Sequence, residues 1–250
     1  MEFEEEKEKK GGGLEIVFQD EYFIAINKPN GLLVHKTKIA EEKKEFALQK
    51  VRDQIGKFVY TVHRIDRPTS GILLFSLSQE AQRAARTLFD ERTIKKTYWA
   101  LVRGHTEEEG VIDHPLKRIE SKSKGAQEAV TKYQTLKRVE MPYSISRYPN
   151  SRYSLVLAEP ETGRTHQIRR HFAHIRHYII GDKRHGECKH NRYFSDVLEL
   201  KYLFLHAKKL NFIHPFTKEN IEIKSRLPEH WTTIFNKFNR SDVLNEEAKI

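Results

Sequence analysis

The sequence predicts an α+β fold: a mixed, largely antiparallel sheet with helices packed on it. Three observations carry this. Apolar runs of strand length recur at LEIVF, YFIAIN, ILLFSLS, TYWALV and YSLVLAE. Around 41–55, after Ser78, and at about 165–176 the apolar residues repeat instead at helical spacing among charges. No internal repeat and no long break divides the chain, so residues 14–250 are expected to form one domain behind a charged, disordered leader at 1–13.

The elements follow in order. Leu14–Phe18 and Tyr22–Asn27 read as two strands, closed by the turn signal Lys28-Pro29-Asn30-Gly31. Ala47, Leu48, Val51 and Ile55 form the buried stripe of a surface helix over 41–55, which Gly56 stops. FVYTV, the polar nonapeptide HRIDRPTSG and ILLFSLS read as strand, loop and buried strand. Ser78 caps a helix whose inner face is Ala81, Ala84, Ala85, Leu88 and Phe89. Strands follow at TYWALV, Ala129–Val139 and YSLVLAE, with an exposed basic loop at Lys117–Gln127. A helix from about Thr165 to Arg176, a strand over Tyr202–Phe212 and a closing helix at PEHWTTIFNKF complete the expectation.

Composition narrows the function. No apolar run approaches the length of a membrane span and the first residues lack a secretion or organelle signal, so the chain reads as cytoplasmic. A single cysteine, Cys188, excludes a disulfide framework and any zinc site built on several thiolates. No Walker loop, G-x-S-x-G elbow or H-E-x-x-H is present. The formal net charge is +10, and residues 164–192 hold eight Lys or Arg against two acids, interleaved with six histidines. Such a stripe fits binding of a phosphate backbone, and equally a solvated face.

Three segments carry groups with chemistry. In HRIDRPTSG the carboxylate of Asp66 stands between Arg64 and Arg67 at the mouth of the sheet, where it suits a nucleophile or base, or a capping residue of the turn. GRTHQIRRH follows a strand and opens a helix, so Arg164 and the first helical N–H groups face the strand end; an ordinary helix start reads the same way. In KKTYWALV, alternation sends Tyr98, Ala100 and Val102 to one face, making Tyr98 either the floor of a base pocket or a core tyrosine. His166, His171, His174 and His177 lie among cations with no interleaved carboxylate, which opposes a metal ion.

Together these segments resemble the RluA-type pseudouridine synthases. HRIDRPTSG resembles that family's aspartate signature, KKTYWALVRG its tyrosine-bearing strand, GRTHQIRRH its arginine motif and LFLHAKKLNFIHP its late apolar strand, in the family's order from about Leu14 to Phe238. The resemblance implies an RNA-modifying isomerase that needs no cofactor and no metal. It makes Asp66 the essential aspartate and Arg164 the arginine that pairs with it. Tyr98 would stack on the uracil and help remove the C5 proton, Leu205 would be the apolar wall, and Arg64 would push into the RNA stack. His63, Arg67, Arg169, Arg170, Arg176 and Lys189 are further candidates for RNA contact. VRDQIG, Arg67-Pro68, Arg170 and HGECKHNRYF resemble most the branch that modifies tRNA at uridine 65, ribosomal RNA being the alternative substrate and a silent RNA-binding module the alternative role. Neither a separate S4 domain nor an obligate protein partner is expected. Two residues depart from the family pattern: Ile65 replaces the commoner leucine, and Tyr178 stands where proline is usual.

Overall fold

In the computed structural model, which describes residues 13–35, 46–119 and 125–238, eight strands run in the spatial order β1-β2-β4-β11-β5-β10-β9-β6, with β3 and β12 added at the side. The elements are β1 Ile16–Gln19, β2 Phe23–Lys28, α1 Ala47–Ile55, β3 Tyr60–Thr61, β4 Ser70–Ser76, α2 Gln79–Asp90, β5 Lys95–Arg103, β6 Glu109–Asp113, β7 Leu116–Lys117 and β8 Ala126–Gln127. Then come β9 Val130–Met141, β10 Ser151–Pro160, α3 Gln167–His174, α4 Cys188–Arg192 with a π turn at Tyr193–Val197, β11 Leu205–Ile213, β12 Asn220–Lys224 and α5 Glu229–Lys237. Every pairing is antiparallel except that of β4 with β11. The predicted leader at 1–13, the start of the 41–55 helix and the middle of the 117–127 loop lie largely outside the described residues.

The alternation of β5 divides the core. Trp99 and Leu101 face a cluster with Tyr153, Leu155 and the α5 residues Trp231, Ile234 and Phe235. Ala100 and Val102 face the other way, against Val156, Ala158 and the α3 residues Ile168 and Phe172. Full burial of such side chains stabilises by about 1.5–3 kcal/mol each, so α3 is held to the sheet by packing although it has only eight residues. Ser78 caps α2 as the sequence predicts, its side chain accepting the Ala81 N–H at 3.0 Å. The edge strands β6 and β12 carry too few buried residues to announce themselves: Ile112 is buried in the first and Ile223 in the second. Among the described residues no helix is long and apolar enough to cross a membrane.

The two halves of the sheet join where β4 meets β11, with Ser70 opposite His206 and Gly71 opposite Ala207. The join is polar and buried. Ser225 Oγ donates to the Ala207 carbonyl at 2.8 Å, so it accepts from His206 Nε2 at 2.8 Å, which leaves His206 Nδ1 to accept from Ser70 Oγ at 2.9 Å. Burial lowers the His206 pKa to about 3, in keeping with that neutral tautomer. Gly71 has φ +103, and a Cβ there would run into the main chain of Ala207. Gly31, at φ +84, has open space around the same position. Gly71→Ala should therefore destabilise the protein by about 3 kcal/mol or more, as backbone strain and a main-chain clash combine. Gly31→Ala should cost only about 1 kcal/mol, and equal shifts in the urea midpoints of the two variants would contradict this account of the join.

Candidate active site

The loop between β3 and β4 carries Asp66 and is held from below by the turn that follows β2. Lys28 is buried, and its ammonium donates to the carbonyls of Pro29 at 2.9 Å, Leu32 at 3.0 Å and Arg67 at 3.2 Å. Asn30 Nδ2 donates to the Pro68 carbonyl at 2.6 Å, and the Gly31 N–H to that of Arg67 at 2.8 Å. Arg67 Nε returns a bond to the Gly31 carbonyl at 2.9 Å. Burial lowers the Lys28 pKa to about 7, with the charge of Asp66 pulling the other way. Sequence reasoning took Lys28-Pro29-Asn30-Gly31 for a turn alone, because the three contacts by which it holds the Asp66 loop end on the carbonyls of Arg67 and Pro68, more than thirty-five residues away.

Asp66 is 21% exposed, and its protein partners come from α3. Arg169 Nη1 donates to Asp66 Oδ2 at 2.9 Å, while its Nε and Nη2 grip the two oxygens of Asp182 at 2.7 and 2.8 Å. Asp182 Oδ1 also accepts the N–H groups of Arg184 at 2.9 Å and His185 at 3.0 Å. Burial works against the charge of Arg169, but the hydrogen bonds and charges of Asp182 and then Asp66 outweigh it and raise its pKa. Asp182 moves down despite its burial, because Arg169 and the two N–H groups favour the carboxylate. His166 Nε2 lies 3.8 Å from the same Asp66 Oδ2, and burial lowers its pKa. Asp66 Oδ1 has no hydrogen-bond donor among the described residues.

The expected pairing of Arg164 with Asp66 is not what the fold makes. Arg164 precedes the helix, and its Nε donates to the Glu128 carbonyl at 3.0 Å. The first helical residue is Gln167, after His166 in a left-handed conformation at φ +55. Residues 166 and 169 then fall on one face, three positions apart, and that face meets Asp66. Gln167 fixes this start: its Nε2 donates to the Val130 carbonyl at 2.9 Å and Thr131 Oγ1 at 3.0 Å, and its Oε1 accepts from the Arg164 N–H at 3.0 Å and Thr162 Oγ1 at 2.6 Å.

Around Asp66 lies a cleft of about 440 Å³. Tyr98, Ile168 and Leu205 supply apolar wall, and Arg64, Arg92, Lys96 and Arg164 supply cations. A smaller recess of about 260 Å³ opens beyond Asp66, between Arg64, Arg67, Val34 and His35. Burial and the charge of Asp66 raise the Tyr98 pKa, so its hydroxyl stays protonated at neutral pH. Lys96, unforeseen in the sequence, is lowered to about 8 by burial and then by Arg92. Arg92 itself is engaged with Glu128 at 3.1 and 3.2 Å.

The remaining predicted residues disperse. His63 lines the cleft, but its Nε2 accepts the Leu74 N–H at 3.0 Å, its ring stacks on Phe89, and burial followed by Lys96 lowers its pKa to about 3. It is thus a neutral brace rather than a cation offered to RNA. The basic stretch 164–192 is not one continuous face. Arg169 is 5% exposed inside the carboxylate clamp, Arg170 Nη1 donates to the Lys117 carbonyl at 2.9 Å, Arg176 lines a separate concavity, and Lys189 stands exposed on α4 outside the cleft.

Residues 22–174 match the family described as RNA pseudouridylate synthase. A protein of Vibrio parahaemolyticus named tRNA pseudouridine synthase C is 47% identical over 239 residues, spanning 92% of this chain and 97% of its own. Its namesake in Salmonella typhi is 43% identical over 245 residues, spanning 95% and 94%. Among solved structures, human RNA pseudouridylate synthase domain containing 1 superposes with a TM-score of 0.69 at 26% identity, over 86% of this chain and 84% of that one. Human RNA pseudouridylate synthase domain containing 4 shares the fold, with a TM-score of 0.68 over 90% and 93% of the two chains at 23% identity. With four motifs converging on one cleft and these likenesses over nearly its whole length, the chain belongs to the RNA pseudouridylate synthase family.

Proposed function

We propose that this protein isomerises uridine to pseudouridine in tRNA, with uridine 65 as its site and Asp66 as the reacting group. The observation that carries the reading is the state of the Asp66 carboxylate. One oxygen is fixed by Arg169 at 2.9 Å, and the other has no donor among the described residues and lies beside a cleft with apolar walls. The tRNA substrate is taken from relatives 43–47% identical that bear the name tRNA pseudouridine synthase C.

The reaction breaks the bond between C1′ and N1, turns the uracil, and joins C1′ to C5. The hydrogen leaves C5 and one is gained at N1, so nothing is oxidised or hydrolysed. A uridine within a stem must first be unpaired and unstacked, at a cost of a few kcal/mol. Arg64, exposed and shared by the cleft and the recess, would fill the vacated space. Tyr98 and Leu205 then receive the flat faces of the uracil. Since Tyr98 is a phenol at neutral pH, it takes the C5 proton only while releasing its own hydroxyl proton to solvent, from which N1 regains one. Asp66 meets the ribose or the base with its unengaged oxygen.

Asp66→Asn should abolish pseudouridine formation in tRNA while leaving RNA affinity nearly intact, because phosphate contacts made elsewhere dominate binding. Substantial turnover by this variant would remove Asp66 from the chemistry, and a wild type that modifies ribosomal RNA but not tRNA would replace the substrate.

Arg169→Lys keeps the charge but loses the planar fork that spans two carboxylates. The single-turnover rate should fall roughly 100-fold, equivalent to about 3 kcal/mol of lost transition-state positioning. Arg164→Lys should fall much less, and the opposite ranking would restore Arg164 as the partner of Asp66.

If Arg64 acts as a wedge, Arg64→Ala should lose much of its rate on a fully paired stem and recover most of it on the same RNA with a mismatch opposite the target. Asp66→Asn should show no such recovery. Equal losses for Arg64→Ala on both RNAs, at saturating enzyme, would reject the wedge.

A further inference from the structure

At the opposite end of the strands that bear the catalytic cleft lies a larger concavity, of about 940 Å³. Three segments build it: Arg103 to His105 at the end of β5, Ser146 to Arg152 in the β9–β10 hairpin, and Arg176 to Tyr178 after α3. Main-chain bonds lock them together. The Arg103 N–H donates to the Tyr178 carbonyl at 2.9 Å, the Gly104 N–H to that of Arg152 at 2.7 Å, and His177 Nδ1 lies 2.9 Å from the Arg103 carbonyl.

We infer that this concavity is a second docking site, which holds the phosphate backbone of the RNA substrate away from the reacting uridine. The inference rests on the reading that the chain acts on RNA. Its charge is the first support. Four arginines, Arg103, Arg147, Arg152 and Arg176, line it against one carboxylate, Glu140. That carboxylate is occupied by Arg152 Nε at 3.1 Å and Asn150 at 2.7 Å. Among the described residues, Arg103, Arg147 and Arg176 have no carboxylate within ion-pair distance. Like charges gathered in a hollow repel one another and focus an attractive field on a polyanion.

The aromatic lining is the second support. Tyr148 is 54% exposed with the Arg147 guanidinium 4.9 Å over its ring, a pairing that offers both charge and a stacking face. Size is the third, since this hollow is about twice the volume of the catalytic cleft and suits a length of strand rather than one base.

Position makes the two sites act together. Tyr98 and Arg103 lie five residues apart on β5, about 17 Å along a strand. The same α3 that follows His166 and carries Arg169 ends just before Arg176. The separation is thus set by rigid elements. An RNA seated in both sites has its distance and direction from Asp66 fixed before any base is flipped, which favours one uridine over others in similar local sequence.

The test compares wild type with the double variant Arg103→Gln and Arg147→Gln on two RNAs: full-length tRNA, and a short stem that carries the target uridine but ends before the second hollow. On tRNA the Kd should rise roughly tenfold or more, and the slope of log K against log salt should flatten by about two units. The Kd for the short stem, and the single-turnover rate on either RNA at saturating enzyme, should stay within about twofold of wild type. Arg147→Gln alone, at an exposed hairpin position, should flatten the slope by about one unit and keeps the test valid if the double variant folds poorly. An unchanged slope on tRNA, or equal losses on the two RNAs, would overturn the docking site. A wild type that binds tRNA but leaves it unmodified would overturn the functional reading while leaving the docking measurement intact.

Discussion

The catalytic end of this protein depends on one arginine shared between two carboxylates. Arg169 donates to Asp66 through one nitrogen and to Asp182 through two, and is almost wholly excluded from water. A guanidinium withdrawn from solvent is costly unless all its directions are used. Asp182 balances it most directly and is itself satisfied by the N–H groups of Arg184 and His185. Asp66 receives the remaining donor, and so its position follows from the position of α3. This explains why the start of α3 is bound so closely to β9 through Gln167: a shift of one residue in that helix would turn Arg169 away from Asp66.

The opposite side of the Asp66 loop is held by main-chain chemistry. Lys28, Asn30 and Gly31 all donate to carbonyls of Arg67 or Pro68, and the Thr69 N–H closes the turn on the Asp66 carbonyl at 3.0 Å. Charge pairing therefore orients the side chain of Asp66 while hydrogen bonds to the backbone set the loop that presents it. The two devices reach the loop from opposite halves of the sheet. The buried Ser70-His206-Ser225 chain at the β4–β11 join is what keeps those halves in register.

Much of this was legible in the order of residues. The α+β class, the strand carrying Tyr98, the strand carrying Leu205 and the cap at Ser78 follow from alternation and turn chemistry, which are local properties. Asp66 stood out because a polar nonapeptide between apolar strands has few structural reasons to exist. The partner of Asp66 was not legible, since GRTHQIRRH offers three arginines and the choice depends on where helical geometry begins. His166 in the left-handed region delays that point by two residues relative to the expected Thr165. Lys28 and Asp182 escaped notice because the contacts that tie them to the site, Lys28 to the Arg67 carbonyl and Asp182 to Arg169, join different elements and leave no local spacing to read. The basic stretch 164–192 shows a further limit: charge counted along a chain does not reveal that a helix, a buried clamp and a turn send neighbouring arginines to different surfaces.

In the proposed reaction the distribution of charge along the cleft orients the nucleotide together with the apolar wall of Tyr98, Ile168 and Leu205. Asp66 is anionic, and it lies where a phosphate would be repelled but a neutral uracil would not. Arg64, Lys96 and Arg164 add positive charge to the same cleft beside the carboxylates Asp90 and Glu161, while Arg92 is paired with Glu128, so the exposed Arg64 is the cation offered to a phosphate. Base inward and backbone outward is thus the favoured direction of entry. In the proposed reaction only the flipped form of the target satisfies both ends at once, because a stacked uridine keeps its base within the helix. Flipping is therefore opposed by the stacking and pairing of the RNA and favoured by the two-signed cleft together with apolar burial against Tyr98, Ile168 and Leu205. On the reading proposed above, selection among uridines resides in contacts beyond the cleft, and the second hollow lies on β5 and just after α3, elements continuous with those around Asp66.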